Sequence, residues 1–336
     1  MPITFNATSG ITFNDGSTQN TRPAVGFRNR IINGDMRIDQ RNAGASQTFT
    51  AAAALAYSVD RFYGYCTGAN VTGQRVAGTT PNEFAYRFTG AASVTAIGFG
   101  TRLEATNTLD LAGSTATLSV QLANSLLTSV TWTAYYASTA DAFGTLASPT
   151  RTQIATGTFT VTSTLTRYTT QISIPSAATT GIEIVFTVGA QTSGTWTIDN
   201  VQLEAGSSAT EFERRPYGTE LALCQRYYWK IFSTAATKIF FQGYMYFTTQ
   251  LEGLIQFPAP MRSVPTVSAS PASQFQLRLT TNNLTNIYGY AAANEPTPIT
   301  QMLLYTSNSA VASLGYSQSV ISNSSTTTYI DFSSEL

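Results

Sequence analysis

Ala116-Thr117-Leu118-Ser119-Val120-Gln121-Leu122 sets apolar side chains at every even position and polar ones at every odd position, the signature of a half-buried β-strand. The same alternation returns in Val130-Thr131-Trp132-Thr133-Ala134, Gly157-Thr158-Phe159-Thr160-Val161-Thr162, Ile182-Glu183-Ile184-Val185-Phe186-Thr187-Val188 and Phe275-Gln276-Leu277-Arg278-Leu279. Short Gly, Ser, Asn and Pro punctuation separates these runs, with no long amphipathic helices between them, so antiparallel sandwiches are expected. The fold class is all-β: two β-sandwich, jelly-roll-like domains, a short N-terminal anchor and one short linking helix.

The chain has 336 residues, 43% of them apolar, enough for about two ordinary cores. Only 11% are charged, against roughly a quarter in a usual domain, and the 18 basic and 18 acidic residues balance. A nucleic acid or an anionic membrane is therefore not an expected partner. The absence of histidine removes Ser-His-Asp triads, Cys-His dyads and imidazole metal sites together. Cys66 and Cys224 form no C-x-x-C pattern and read as buried free thiols, with one long-range disulfide as the alternative. The N-terminal residues show neither a basic n-region nor an apolar h-region, so a soluble protein without a cleaved signal peptide is expected.

The division expected is 1–24 as an anchoring segment, 25–210 as the first sandwich, 211–230 as linker and helix, and 231–336 as the second sandwich. Ala205-Gly206-Ser207-Ser208-Ala209-Thr210 and the charged cluster Glu211-Phe212-Glu213-Arg214-Arg215-Pro216 mark the boundary. Apolar residues at 221, 224, 227 and 228 predict a helix over 219–230, with Thr219 as N-cap and Arg226 and Lys230 toward the negative end of its dipole. Only seven charged residues lie between 237 and 336: Lys238, Glu252, Arg262, Arg278, Glu295, Asp331 and Glu335. A surface so poor in charge is expected to be covered by further copies of the chain. The anchor is too short to bury a core and should gain order by adding strands to a partner.

Three stretches carry a family likeness: Asn29-Arg30-Ile31-Ile32-Asn33-Gly34-Asp35-Met36, Ser58-Val59-Asp60-Arg61-Phe62, and Gly194-Thr195-Trp196-Thr197-Ile198-Asp199-Asn200-Val201-Gln202-Leu203-Glu204. They resemble the carbohydrate-binding-module-like jelly roll of bacteriophage virion fibre proteins, and Phe212-Glu213-Arg214-Arg215-Pro216 with Leu223-Cys224-Gln225-Arg226-Tyr227-Tyr228 extends the likeness. Gly10-Ile11-Thr12-Phe13-Asn14-Asp15-Gly16 is similar to strand-and-turn segments of phage tail fibres, and 257–267 to the sheet domains that follow in such proteins. The resemblance implies a non-enzymatic structural protein of the virion surface, assembled in the host cytoplasm. It further implies a homotrimeric fibre or tail fibre joined to another virion protein through residues 1–24, with a host surface glycan as partner in host attachment. A capsid or tail decoration or connector protein is the alternative, and a glycan-cleaving depolymerase a third.

In the closing stretch, Trp196 and Ile198 have one parity and Val201 and Leu203 the other, so the strand must bulge near Asp199-Asn200 to keep all four in a core. In the sugar-binding modules this stretch resembles, an acid just after the Gly-x-aromatic step of the first strand joins the closing-strand Asp in holding a structural calcium. The matching position here is Arg37. A cation there repels Ca²⁺, so an Arg37–Asp199 ion pair in place of the metal is expected, with both residues solvated or paired elsewhere, or a retained calcium, as alternatives. No metal and no cofactor is expected.

Carboxylates are the remaining acid/base equipment. Asp35, Asp39, Asp60, Glu83, Glu104, Asp110 and Asp141 are scattered, so no catalytic residue is assigned. Asp60 and Arg61 read as satisfying buried polar ends of a sheet, beside core-facing Phe62, Gly64 and Cys66. Gly98-Phe99-Gly100 and Asn33-Gly34 read as turns. Sugar binding needs flat aromatic faces. Parity opposite to Phe62 puts Tyr63 and Tyr65 on the outward face of their strand; Tyr135 opposes Trp132, and Tyr288 and Tyr290 form a similar pair in the last domain. These five are the candidate glycan-binding residues, with ordinary β-surface or an oligomer contact as the alternative.

Overall fold

The computed structural model describes residues 4–6, 10–12, 18–19, 27–79, 81–233, 235, 238–247, 250–277, 286–290, 299–307, 317–322 and 327–336. The chain is all-β. Three short strands, β1 (Thr4–Asn6), β2 (Gly10–Thr12) and β3 (Thr18–Gln19), pair antiparallel into a small sheet, and the rest of the expected anchor lies outside the described residues.

The first sandwich contains β4 (Gln47–Phe49), β5 (Ala56–Tyr57), β6 (Phe62–Thr67), β7 (Val71–Ala77), β8 (Phe84–Thr89) and β9 (Ala96–Leu103). After the one-turn helix α1 (Ala105–Thr108) come β10 (Thr115–Asn124), β11 (Ser129–Ala137), β12 (Arg151–Thr160), β13 (Thr166–Ser173), β14 (Ile182–Val188) and β15 (Thr195–Ala205). They form two six-stranded antiparallel sheets, β13-β10-β15-β8-β7-β4 and β12-β11-β14-β9-β6-β5, with successive strands repeatedly switching sheets as in a jelly roll. Between the sheets lies one aromatic-rich core. Phe62 stacks on Phe99 at 5.0 Å, Phe99 on Tyr86 at 4.9 Å, and Phe88 on the fully buried Trp196 at 5.5 Å. Pairs of this kind add to the area each ring removes from water.

The parity argument about the closing strand holds. The β10–β15 register slips between Ser119 and Gln121, Asn200 takes φ +49°, and Trp196, Ile198, Val201 and Leu203 all reach the core. The alternating runs fall in strands, although β12 ends at Thr160, short of Val161 and Thr162, and Arg278 and Leu279 lie outside the described residues; β10 is more than half buried, with Thr117 and Ser119 covered too. The polar side chains of the neighbouring strands close over that face, as where Arg167 bonds Ser119 Oγ at 3.1 Å.

Gly98 and Gly100 are not turn residues. They sit inside β9, where a Cβ would run into the rings of Tyr65 and Tyr63, so the glycines let those tyrosines lie flat across the sheet. Asn33 does occupy a turn, at φ +60°, and its amide bridges the Ile38 and Asp60 carbonyls at 2.8 and 2.9 Å.

Helix α2 (Tyr217–Gln225) is shorter than predicted. Its N-cap position is Pro216 rather than Thr219, and Tyr228 and Lys230 leave it for strand β16 (Tyr228–Phe232), because pairing with the C-terminal strand outweighs their helical spacing. The 205–216 segment lies against the first sandwich: Glu213 accepts from the Arg28 and Asn29 amides, and buried Arg215 pairs with Glu220 at 3.0 Å.

The second body adds β17 (Ile239–Phe247), β18 (Gln250–Met261), β19 (Thr266–Ala269), β20 (Phe275–Leu277), β21 (Asn286–Tyr290), β22 (Ile299–Ser307), β23 (Ser317–Ser322) and β24 (Tyr329–Ser333). Sheets β16-β24-β19 and β20-β23-β17-β18-β22-β21 enclose Phe240, Phe241, Met245, Ile255, Phe257 and Phe332. The bodies meet through charge. Glu335 pairs with Arg41 at 3.0 Å and with Arg61, while Asp60 accepts from Gln40, whose amide also reaches the Tyr228 carbonyl at 2.8 Å. Burial, partly offset by Arg41, pushes Asp60 up to about 6. Cys66 and Cys224 are buried and free.

Candidate functional site

Tyr63 points away from the sandwich core, as its parity requires, yet it is 0% exposed and is not a binding surface. Its hydroxyl donates to Glu183 Oε1 at 2.7 Å, and Arg102 Nε donates to the same oxygen at 2.7 Å while Arg151 pairs with the other. Glu183 is thus a buried carboxylate whose two oxygens are both partnered, one of them twice, and the Tyr57 ring, 6.0 Å away, and the Arg102 side chain help close over Tyr63. Burial pushes the Tyr63 phenol well above its ordinary range.

Tyr65 and Tyr135 remain half-buried on the same outer face. Tyr65 lies over Gly98, and the Arg151 guanidinium stands 4.3 Å from the Tyr135 centroid, so one face of that ring already holds a cation. Tyr288 and Tyr290 lie on β21, an edge strand paired with β22, and their side chains are outside the described residues.

Arg37 does not pair with Asp199. Its Nε lies 2.8 Å from Asp35, and its Nη1 donates to the Arg215 carbonyl at 3.3 Å, since the turn at 31–36 carries Arg37 toward its own neighbour. Asp199 sits at the β15 bulge, 0% exposed; one carboxylate oxygen accepts from the Asn200 amide at 2.6 Å and Oδ2 has no partner. Asn200 Oδ1 is likewise unpartnered, while its amide donates to Asn82 Oδ1 at 2.8 Å. Burial, reinforced by the nearby Asp35 charge, pushes Asp199 up to about 8; burial also raises Asp35 against the pull of Arg37.

This donor set does not fit the calcium of the modules the sequence resembles. Ca²⁺ takes six to eight oxygens, usually with several anionic ones. Here the Arg37 guanidinium is already on Asp35, Arg214 adds a second cation beside Asp199, and among the described residues no three His, Cys, Asp or Glu side chains gather.

The opposite sheet carries a groove that parity alone did not reveal. It has a volume of about 260 Å³. Its floor comes from Ala85 and Arg87 of β8, Ala123 of β10, and Thr195 and Thr197 of β15; Gly78 and Thr79 form one rim, Ser163 and Leu165 the other. Arg87 lies in register between Gln74 and Thr197 and donates Nε to Thr197 Oγ1 at 3.2 Å. Small side chains at 85 and 123 leave the depression, and hydroxyls and one guanidinium supply its polarity. Among the described residues, the lining contains no carboxylate, thiol or aromatic ring. Such a surface can hold a polar ligand, and it has no acid/base pair with which to cleave one. In sequence, the only trace of it was a set of small residues and one arginine on polar faces of separate strands.

No family model matches the sequence, and no curated protein matches it. Among solved structures, the chain overlaps a bacteriophage CBA120 tailspike protein 4 enzymatically active domain at 16% identity and TM-score 0.32, over 53% of this chain and 21% of that one. It overlaps TmCBM61, solved with β-1,4-galactotriose, at 13% identity and TM-score 0.34, over 54% of this chain and 100% of that one. A family 11 carbohydrate-binding module from Clostridium thermocellum, solved with a mixed-linked tetrasaccharide, overlaps at 14% identity and TM-score 0.31, over 50% of this chain and 99% of that one. The chain spans about a fifth of the tailspike chain and essentially all of the two modules.

Proposed function

We propose that this chain is a non-enzymatic structural protein of a phage virion, a fibre or appendage whose first sandwich holds a host-surface glycan in the Arg87 groove. The observation that carries the reading is the character of that groove: hydroxyls, a guanidinium and an aliphatic floor, with no carboxylate or thiol among the described residues of its lining. Weak contacts of this kind become useful through repetition, because linked copies convert single binding events into avidity.

Multiplicity is supported by the second sandwich. It exposes Leu254 by 55%, Val264 by 54% and Ile239 by 39%, within a stretch having seven charged residues in its last hundred. Large apolar side chains exposed on a charge-poor surface favour self-association, and a trimer is the state proposed. Residues 1–24 are proposed to join another virion protein by strand addition. Such a protein works at the virion surface after assembly in the host cytoplasm.

Retention of the intact protein by host cells or their purified polysaccharide tests the reading. A protein that binds neither, yet is needed for particle assembly, is instead a capsid or tail connector. Release of soluble fragments from the polysaccharide establishes a depolymerase and overturns the non-enzymatic part. Light scattering that gives a monomer at all working concentrations removes the oligomer. Particles that incorporate protein lacking residues 1–24 at normal levels remove the anchor.

A further inference from the structure

Resting on the glycan reading above, we infer that the groove selects a saccharide bearing an oxyanion, a carboxylate or a phosphate ester, and that Arg87 is the residue that reads it. Most described arginines are committed to carboxylates: Arg30 to Asp110, Arg37 to Asp35, Arg61 to Glu335, Arg102 and Arg151 to Glu183, and Arg226 to Glu104. Three others with no ion pair spend their guanidinium on nearby oxygens. Arg167 bonds Ser119 and the Thr210 carbonyl, Arg214 bonds Asn82, and Arg262 bonds the Ser334 and Glu335 carbonyls.

Arg87 differs from all of these. It is exposed, makes no ion pair, and gives only Nε to Thr197, so its two Nη nitrogens have no partner among the described residues. The bond to Thr197 holds the guanidinium in the groove floor, which lowers the conformational cost of using its free edge. Two parallel N–H donors match a carboxylate or a phosphate, and a charge-assisted bond of this type is about twice as strong as a neutral one.

The rest of the lining argues for the same class. Neutral sugars are commonly gripped by stacking on aromatic faces, and this groove has none. Thr79, Ser125, Ser163, Thr195 and Thr197 supply hydroxyls suited to ring hydroxyls, while Ala77, Ala85, Ala123 and Leu165 supply apolar contact. Without a stacking platform, the charged contact must contribute most of the affinity. The volume of about 260 Å³ falls just below the roughly 300–1,000 Å³ of ordinary ligand sites, which suits one anionic sugar unit rather than a long buried chain.

The test is calorimetric titration of the full-length protein with a panel: oligogalacturonate, its neutral methyl ester, mannose 6-phosphate, and neutral oligosaccharides. Binding of oligogalacturonate or mannose 6-phosphate, a loss of at least tenfold on methyl esterification or in Arg87→Gln, and partial retention in Arg87→Lys are expected. Which of the two anions binds identifies carboxylate or phosphate as the group read. Because Arg87 is exposed, Arg87→Gln should melt with the wild type, and that measurement separates lost recognition from lost folding. Equal binding of the ester and the acid, or wild-type affinity in Arg87→Gln, overturns this inference and leaves glycan attachment standing. Failure of every saccharide on the panel overturns this inference, and loss of retention on host cells and their purified polysaccharide as well overturns the glycan reading.

Discussion

Replacing Asp199 by Asn should make the protein more stable in mildly alkaline solution and change little in acid. Asp199 is buried at the β15 bulge with Oδ2 unpartnered and Asp35 nearby, and its carboxyl rises from 3.8 to about 8. In the unfolded chain the same group ionises near 3.9. Between these values the unfolded state has released a proton that the folded state keeps, so stability is lost as pH rises through that window and levels off above about 8. At about 1.36 kcal/mol per pH unit, the whole loss is on the order of 5 kcal/mol. Asp60, raised to about 6, contributes in the same direction but is spent at lower pH. The interval from about pH 6 to about pH 8 is therefore dominated by Asp199, with a fall of ~2 kcal/mol in the wild type that Asp199→Asn largely removes. Asn keeps an oxygen to accept the Asn200 amide, so the substitution removes the charge and little else. Thermal unfolding across that interval reads the effect, at roughly 2–4 °C per kcal/mol for a chain of this size class. A wild-type melting temperature that is flat from pH 6 to 8, or an Asn variant that melts below wild type at pH 8, refutes the reasoning. So does a large rise in wild-type melting temperature with millimolar calcium that Asp199→Asn abolishes, because Asp199 would then be a metal ligand.

Three further outcomes follow from the same geometry. Tyr63→Phe removes one of the donors to buried Glu183 and should cost about 1–3 kcal/mol in denaturant unfolding, with binding of the glycan that the wild type holds unchanged; lost binding at intact stability would return Tyr63 to the ligand surface. Arg61→Ala leaves Glu335 with Arg41 alone at the junction of the two bodies and should destabilise by roughly 3–5 kcal/mol, read by calorimetry as earlier melting of the junction; an unchanged thermogram contradicts this. Cys66 and Cys224 are buried and burial pushes both thiols up, so a thiol reagent should label neither in the native protein and both after denaturation. Rapid native labelling of either would place that thiol at the surface.

Much of this molecule is legible before any strand is placed. Alternation is a property of consecutive residues, so Ala116 to Leu122 and Ile182 to Val188 declare themselves strands without knowledge of their neighbours. The parity clash between Trp196-Ile198 and Val201-Leu203 even locates the bulge, because a pleat has period two and only an extra residue can change its phase. Parity also put Tyr63 on the correct side of its strand. It could not say what lies above that side, and the Glu183–Arg102 pair that buries Tyr63 comes from two other strands.

The same limit explains the glycines and the helix. Gly98 and Gly100 look like turn punctuation until β6 is set beside β9 and its tyrosines need the space. The 219–230 pattern looks helical throughout until β24 offers Tyr228 to Phe232 an antiparallel partner. The sequence by itself determined the β class, the bulge and the absence of imidazole chemistry, since each depends on residue identity or near-neighbour spacing. Tertiary structure alone decided which polar faces stay open. The groove joins residues near 78, 86, 124, 164 and 196, brought together by lateral strand order, and that order is set by long-range packing of two sheets that no local pattern encodes.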